Sequence, residues 1–162
     1  HYHVNEETWA AANEMLLEIL SMASLEKTSV QLHVEDNGER TCLELSQLCR
    51  SAGLPLDRAI RHYAPPNVNS EFTHGLSATV NVGKGSIETL TETVSRSSAP
   101  WGMETDFLDD KNRPGAVLGP KTVPKRTHEL ASSLLSSGWT ESKVESLLQN
   151  IHSDWPKSLY GF

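Results

Sequence analysis

The sequence lacks several features that mark particular classes of protein. It has only 2 cysteines in 162 residues, without the spacing of a thiolate zinc site. It has no apolar run near about 18 residues and no signal-peptide pattern at its start, so no membrane span is expected and the cytoplasm is the expected location. It also lacks a basic excess, because 14 Lys and Arg against 21 Asp and Glu give a net charge of −7. This balance argues against a general binder of nucleic-acid backbones, although it is compatible with a small local basic patch.

What is present is typical of a soluble globular protein. A chain of 162 residues fits a single domain over residues 1–162, long enough to bury about two thirds of its unfolded surface. Cys42 and Cys49 lie two helical turns apart in an apolar helical pattern, which places both on one face of a helix and too far apart to form a disulfide. We therefore expect both cysteines to be small core residues.

Apolar periodicity predicts helices that alternate with short strands. Helices are predicted over residues 6–24, 39–52, 87–96, 125–137 and 141–151, and strands over residues 30–34, 58–62, 76–82 and 101–106. The first helix is expected to bury one stripe, made of Trp9, Ala12, Leu16, Ile19, Leu20 and Ala23. Four strands alternating with helices predict an α/β fold with parallel pairing and right-handed crossovers. Four strands are half of an eight-stranded barrel, which usually needs about 250 residues, so we expect a partial (half) TIM barrel that pairs with a missing partner, closes differently or leaves sheet edges exposed.

Three of the predicted strands end in residues that bind metal ions in proteins. His33 and His62 each close a short apolar run, and Asp106 follows Met103-Glu104-Thr105. Taken singly, a histidine in this position is usually a hydrogen-bonded structural residue, and an aspartate is usually a turn former or helix cap. Because the carboxyl ends of parallel strands meet at one edge of a sheet, their shared position favours a divalent-metal site.

The segment after Asp106 is a long loop rich in proline and glycine, and loops of this length are often functional. Asp109 and Asp110 within it are expected to form turns and face solvent. Lys121, Lys125 and Arg126 follow as a small basic cluster. Lys121 and Arg126 are candidate ligands of a substrate phosphate, and the alternative is a solvated helix start.

Three segments, QLHVED, RHYAPP and METDFLDDKNRPGAVLGPKTVPKRT, resemble the C-terminal half of archaeal-type TatD-related hydrolases. These are metal-dependent TIM-barrel enzymes of the amidohydrolase-like group, and the resemblance extends over most of the chain to the closing LYGF. It implies that His33 and His62 bind a metal ion and that Asp106 binds it and handles the proton of the attacking water. The family's remaining ligands, a His-x-His and a bridging Glu, belong to the preceding half. His1-Tyr2-His3 has the former pattern but stands directly before a helix, so we interpret it as part of a loop.

These features predict a metal-dependent hydrolase that activates water with a divalent ion such as Zn²⁺, Mn²⁺ or Mg²⁺. The resemblance implies a phosphoester substrate, either a small molecule or nucleic acid. One alternative is a non-catalytic half-barrel that acts as a binding or assembly module, and another is hydrolysis of an amide or lactone. Whether the chain is an enzyme by itself depends on the half that carries the other ligands. A second chain or a homo-oligomer is expected to cover the open half-barrel.

Overall fold

The computed structural model describes residues 4–107, 112 and 118–161. Short 3₁₀ turns lie at Leu56–Arg58 and Val94–Arg96, and a π-helical turn lies at Asn150–Asp154. The helices and strands, in chain order, are α1 (Glu6–Leu25), β1 (Val30–His33), α2 (Glu39–Ala52), β2 (Ala59–Ala64), α3 (Ser70–Thr73), β3 (Ser77–Asn81), α4 (Ser86–Thr93), β4 (Trp101–Glu104), α5 (Thr122–Ser136), α6 (Glu141–Gln149) and α7 (Trp155–Tyr160).

The four strands form one parallel sheet in the order β1-β2-β3-β4. Each strand therefore lies beside its neighbour in sequence, with a helical crossover between, and β1 and β4 are the edge strands. The predicted α/β class with four parallel strands is confirmed. None of the helices in the described ranges is long and apolar enough to cross a membrane.

Two strand ends differ from the prediction by two residues, and each lies near a residue with a positive φ. β2 continues to Ala64, so His62 does not end the strand, but the register with β3 shifts between Arg61 and Ala64 and Tyr63 has a φ of 52°. β4 ends at Glu104, and Asp106 lies beyond it with a φ of 50°. The predicted strand ends at His62 and Asp106 are therefore wrong by two residues each, in opposite directions.

Helix boundaries follow local capping chemistry. The side chain of Asn5 accepts a hydrogen bond from the backbone N–H of Thr8 at 2.8 Å, which confirms it as the N-cap of α1. α2 ends at Gly53 with a φ of 70°, as expected for a left-handed cap. Although Ser86 directly precedes the predicted helix 87–96, the N-cap of α4 is Gly85, and the Ser86 hydroxyl donates to the carbonyl of Gly83 at 2.9 Å.

The buried side chains form two groups, one at each half of the sheet. The first packs α4, α5 and α6 against β3 and β4 around Val80, Trp101 and Leu134. The second packs α1 and α2 against β1 and β2 and includes Cys42 and Cys49, which are 2% and 0% exposed. The prediction that both cysteines are core residues is therefore confirmed, and both are free thiols.

The predicted core stripe of α1 is only partly correct. Leu20 and Ala23 are buried, but Ile19 is 46% exposed and Ala12 is also exposed. The apolar pattern of this helix extends around more of its circumference than the sheet and α2 cover. Periodicity identifies the apolar positions but not which of them find a partner.

Arg61 lies on the helix-facing side of β2 and is buried, with 3% exposure. Its guanidinium pairs with Asp36 and donates to the carbonyl of Gly38 at 3.3 Å and to the thiol sulfur of Cys42 at 3.0 Å. One side chain thus connects β2 to the β1–α2 loop and to α2. This connection fixes the loop directly after His33.

Candidate functional site

His62 lies at the centre of a polar cluster on the face of the sheet opposite Arg61. Strand alternation and the parallel register put Gln31, His33 and His62 on this face, with His33 directly beside His62 on the neighbouring strand. The two imidazole rings have centroids 5.4 Å apart at an interplanar angle of 47°. Two of the three metal-binding residues predicted from sequence are therefore adjacent.

Two carboxylates flank the ring of His62, one at each nitrogen. Glu104, the last residue of β4, has Oε2 at 2.8 Å from Nδ1, and Asp106 has Oδ1 at 3.6 Å from Nε2. The side chains of His62 and Glu104 are 18% and 14% exposed, whereas that of Asp106 is 42% exposed. Asp106 therefore stands at the solvent side of the cluster, where a substrate or an ion could approach.

These distances assign the tautomer of His62. The contact between Nδ1 and Glu104 is a hydrogen bond, and Nδ1 is also 3.0 Å from the amide nitrogen of Gln31. Nδ1 cannot both donate to one and accept from the other, and we assign the proton to the bond with the carboxylate, the stronger acceptor. In the neutral imidazole, Nε2 then presents a lone pair towards Asp106.

The space between Nε2 of His62 and Oδ1 of Asp106 suits a cation. Their separation of 3.6 Å is too long for a hydrogen bond, and both atoms are acceptors in this tautomer. Two ligands on one ion at the usual bond lengths lie roughly 3 to 3.5 Å apart, and two imidazole ligands have centroids roughly 5 Å apart. The separation of His62 and Asp106 and the centroid distance of His33 and His62 are each near these values, but in the described part of the chain no three His, Cys, Asp or Glu side chains form a group that could hold a metal ion by themselves.

Glu104 is a site residue that sequence reasoning missed. Its second oxygen, Oε1, is buried and has no hydrogen-bond partner among the described residues. Metal-binding histidines usually donate their other N–H to a carboxylate, which fixes the tautomer and the orientation of the ring. The signal was the spacing Glu104-x-Asp106, which places two carboxylates on one side of an extended segment.

The C-terminal helix reaches the same cluster from the far end of the chain. The Tyr160 hydroxyl donates to Oε1 of Gln31 at 3.3 Å, and Arg58 donates to the carbonyl of Ser158 at 2.9 Å. Burial, and secondarily the charge of Glu104, raise the pKa of Tyr160 above its usual range. The C-terminal helix is therefore docked on the sheet, and the Tyr160 hydroxyl stays protonated at neutral pH.

Two residues with left-handed backbone conformations border His62. Tyr63 follows it directly and Asp106 faces its ring, with φ values of 52° and 50°. Such conformations are costly for non-glycine residues and are enriched at functional sites. A cavity of about 400 Å³ opens beside Tyr63 at the carboxyl ends of β2 and β3, lined also by Asn81 and Lys84.

Arg126 and Lys121, the residues predicted to hold a substrate phosphate, differ in their surroundings, because Arg126 is paired within the chain and Lys121 is exposed. Nε of Arg126 donates to the carbonyl of Val82 at 3.1 Å, and its Nη1 pairs with Glu129. This guanidinium is therefore used within the chain and would have to release Glu129 to reach a substrate. Lys121 is exposed immediately before α5. Four sequence candidates, His1, His3, Asp109 and Asp110, lie outside the described residues.

Comparison with known proteins identifies a relative, but it does not indicate an activity for this chain. The chain is similar to an uncharacterized protein of Methanocaldococcus jannaschii, with 32% identity over 130 residues. The match covers 80% of this chain but 45% of the archaeal protein, so the chain spans about half the length of that relative. No protein-family model and no solved structure matches the chain. Function has to be argued from the site itself.

Proposed function

We propose that this chain belongs to a TatD-related, metal-dependent hydrolase and forms the C-terminal half of its TIM barrel. The observation that carries the proposal is the environment of His62, whose Nδ1 is bound to Glu104 and whose Nε2 lies 3.6 Å from Asp106. A neutral imidazole oriented by one carboxylate and facing another is the usual setting of a histidine metal ligand.

The strand order supports the half-barrel. In doubly wound α/β sheets the strand order reverses at one point, whereas the strands of a (β/α)₈ barrel follow one another around the ring. The order here is sequential, β1-β2-β3-β4. The cluster also lies towards the carboxyl ends of β1, β2 and β4, the face at which such barrels carry their active sites.

The roles of the chain's own residues follow from their contacts. His62 and Asp106, with His33 beside them, would hold a divalent cation such as Zn²⁺, Mn²⁺ or Mg²⁺, completed by donors from outside the described residues. Such a cation lowers the pKa of a water molecule that it binds from about 16 to about 7. Glu104 keeps His62 in the required tautomer. Asp106 is the exposed carboxylate and acts as the general base that accepts the proton of the attacking water.

A phosphoester is the substrate that we propose, as a small molecule or in nucleic acid. The cavity beside Tyr63 is of a size that accommodates a small ligand, and its exposed Lys84 provides a positive charge for an anionic group. Lys121 is a second exposed cation, placed before α5. The proposed location is the cytoplasm.

The test combines metal binding with catalysis. The chain is stripped of metal, titrated calorimetrically with Mn²⁺ and Zn²⁺, and assayed with bis(4-nitrophenyl) phosphate. We expect Asp106→Asn to lower turnover roughly 10²- to 10⁴-fold with little change in melting temperature, because it removes the base but keeps the shape of the side chain. Asp57→Asn, which removes an exposed charge near the opposite ends of the strands, is the matched control and should be fully active.

A second candidate function is a non-catalytic binding or assembly module. It is favoured by one observation, that the described residues hold no complete group of three metal ligands. Absence of both metal binding and turnover in the wild-type chain would support this module. Hydrolysis that is unaffected by Asp106→Asn would contradict the assignment of the general base.

A further inference from the structure

A cavity of about 290 Å³ lies between the last two strands of the sheet and the C-terminal segment of the chain. Trp101 and Met103 of β4 line one side of it, and Trp155 and Leu159 of α7 line the other. We call it the β4–α7 cavity. A cavity of about 150 Å³ holds a benzene ring, so this one has room for a molecule of one or two aromatic rings.

Two buried polar groups in the walls of the β4–α7 cavity have no hydrogen-bond partner among the described residues. They are the indole nitrogen of Trp101, a residue that is 2% exposed, and the hydroxyl of Thr79 on β3. Buried hydrogen-bonding groups are nearly always paired, with protein or with a bound molecule. An acceptor atom of a molecule in the cavity would satisfy the indole N–H, which can only donate, and the hydroxyl as well.

A glycine lines the same cavity without a conformational reason for being glycine. Gly102, inside β4, is not among the glycines with a positive φ, and a β-carbon added to it would meet only the side chain of Thr79, at 4.0 Å. This is an ordinary van der Waals contact, so packing among the described residues does not require a glycine. Glycine weakens a strand and often marks a place where a ligand approaches the backbone closely.

His152, in the π-helical turn before α7, adds an acceptor to the cavity. The Thr127 hydroxyl donates its single proton to the carbonyl of Val123 at 2.9 Å, so in its contact of 3.0 Å with Nε2 of His152 the imidazole is the donor. Nδ1 then carries a lone pair. Burial lowers the pKa of His152 below its usual range, so the ring is neutral at pH 7. Single π-helical turns of this kind occur frequently at functional sites.

The charge around the cavity excludes an ionic ligand. None of the described residues that line it has a charged side chain at pH 7, because His152 is neutral and burial keeps the Tyr160 hydroxyl protonated. An anion placed there would lose its hydration without gaining an ion pair. The β4–α7 cavity is therefore not a subsite for the phosphoester proposed above, and its occupant is an uncharged molecule.

The walls of the cavity define the rest of its ligand. The rings of Trp101 and Trp155 have centroids 6.2 Å apart at an angle of 48°, and Met103 adds a thioether, contacts that favour an aromatic ring. A hydroxyl group both accepts and donates hydrogen bonds, which matches the indole N–H of Trp101 and the lone pair of His152. We propose that the β4–α7 cavity binds a small uncharged aromatic alcohol. The proposal does not depend on metal binding or on hydrolysis.

The test titrates 2-naphthol into the metal-free 162-residue chain by calorimetry at pH 7. We expect one molecule bound per chain, and naphthalene, which lacks the hydroxyl, and 2-naphthoate, which is charged, should each bind about tenfold more weakly or worse. Gly102→Leu should abolish binding, because the new side chain fills the cavity. Gly119→Leu is the matched control and should bind normally, since Gly119 is exposed and nothing lies within 4 Å of an added β-carbon.

Thr79→Val separates ligand binding from folding. It removes a buried hydroxyl that has no partner among the described residues, so the melting temperature should stay equal or rise. The affinity for 2-naphthol should nevertheless fall about 3- to 10-fold, while that for naphthalene stays unchanged. Circular dichroism establishes that each variant is folded, and this substitution decides the question if Gly102→Leu is not.

Four outcomes would overturn the proposal. They are the absence of 2-naphthol binding to the wild-type chain, binding that a folded Gly102→Leu variant retains, equal affinities for 2-naphthol and naphthalene, and tighter binding of 2-naphthoate than of 2-naphthol.

Discussion

The hydrogen bond between Glu104 and His62 decides what the imidazole can do. With its proton on Nδ1, His62 offers a lone pair to an ion at Nε2, and with the opposite tautomer it would offer a proton instead. The bond of 2.8 Å to a largely buried carboxylate favours the first state. Glu104 is therefore a positioning residue for His62.

Replacing Glu104 by Gln tests this role. The amide is nearly the same size but is a weaker acceptor and has no charge, so it orients and polarises His62 less well. We expect the affinity for Mn²⁺ or Zn²⁺ to fall about 10- to 100-fold, as measured by calorimetry. Glu88→Gln, an exposed change on α4, is the control. Equal affinities for the Glu104 variant and the wild type would show that Glu104 does not act through His62.

At the level of single residues, the sequence predicts the proximity of His33, His62 and Asp106 but not the complete cluster. Their proximity follows from parallel pairing, because the carboxyl ends of parallel strands meet at one edge of a sheet. Glu104 was missed because the predicted strand extends to Asp106, whereas β4 ends at Glu104 itself. Tyr160 was not foreseeable as a neighbour of Gln31, since that contact depends on how the chain returns after a π-helical turn.

The elements around β2 depend on one buried cation. Arg61 connects the strand to the β1–α2 loop through Asp36 and Gly38 and to α2 through Cys42. Lysine keeps the charge but cannot reach several acceptors with a planar fork.

We expect Arg61→Lys to lower the free energy of unfolding by about 1 to 3 kcal/mol, because at least one buried partner loses its hydrogen bond. Urea unfolding measures this change. Arg40→Lys provides the comparison, since the Arg40 side chain is 64% exposed and its bond to Glu44 is a surface i, i+4 pair, so its effect should stay within about 0.5 kcal/mol. Similar losses in both variants would mean that burial of Arg61 contributes nothing specific.

At the level of elements, periodicity predicts the order and type of helices and strands well and their boundaries less well. β4 ends two residues before the predicted position because the backbone has left extended geometry by Asp106, whereas β2 runs two residues past His62 although Tyr63 has a positive φ and the register with β3 shifts there. Neither residue is a glycine, so composition gives no warning of a positive φ. In α1 the pattern identifies apolar positions correctly, but Ile19 is exposed because burial also requires a partner element.

For the molecule as a whole, the two thiols report on folding. Burial raises the pKa of Cys42 and raises that of Cys49 from 9.0 to about 11. A raised pKa in the folded state means that the folded chain holds the proton more tightly than the unfolded chain. The stability linked to Cys49 is therefore complete below about pH 9 and is lost as the pH rises to about 11.

We expect neither thiol to react with a disulfide reagent at pH 8 in the native protein and both to react in guanidinium chloride. The melting temperature should fall between pH 9 and 11, and this part of the decrease should be smaller in Cys49→Ala. Rapid labelling of one native thiol at pH 8 would show that its helix opens locally without global unfolding.

The contact between Gln31 and Tyr160 joins residues 129 positions apart, and that between Arg58 and Ser158 joins residues 100 positions apart. Closing such long loops adds little free energy at equilibrium, because each doubling of loop length costs only about 0.6 kcal/mol, but it delays contact formation during folding. The sheet and its local crossovers can therefore form before α7 arrives. The contact of Tyr160 with Gln31, which itself contacts His62, is therefore among the last parts of the polar cluster to form.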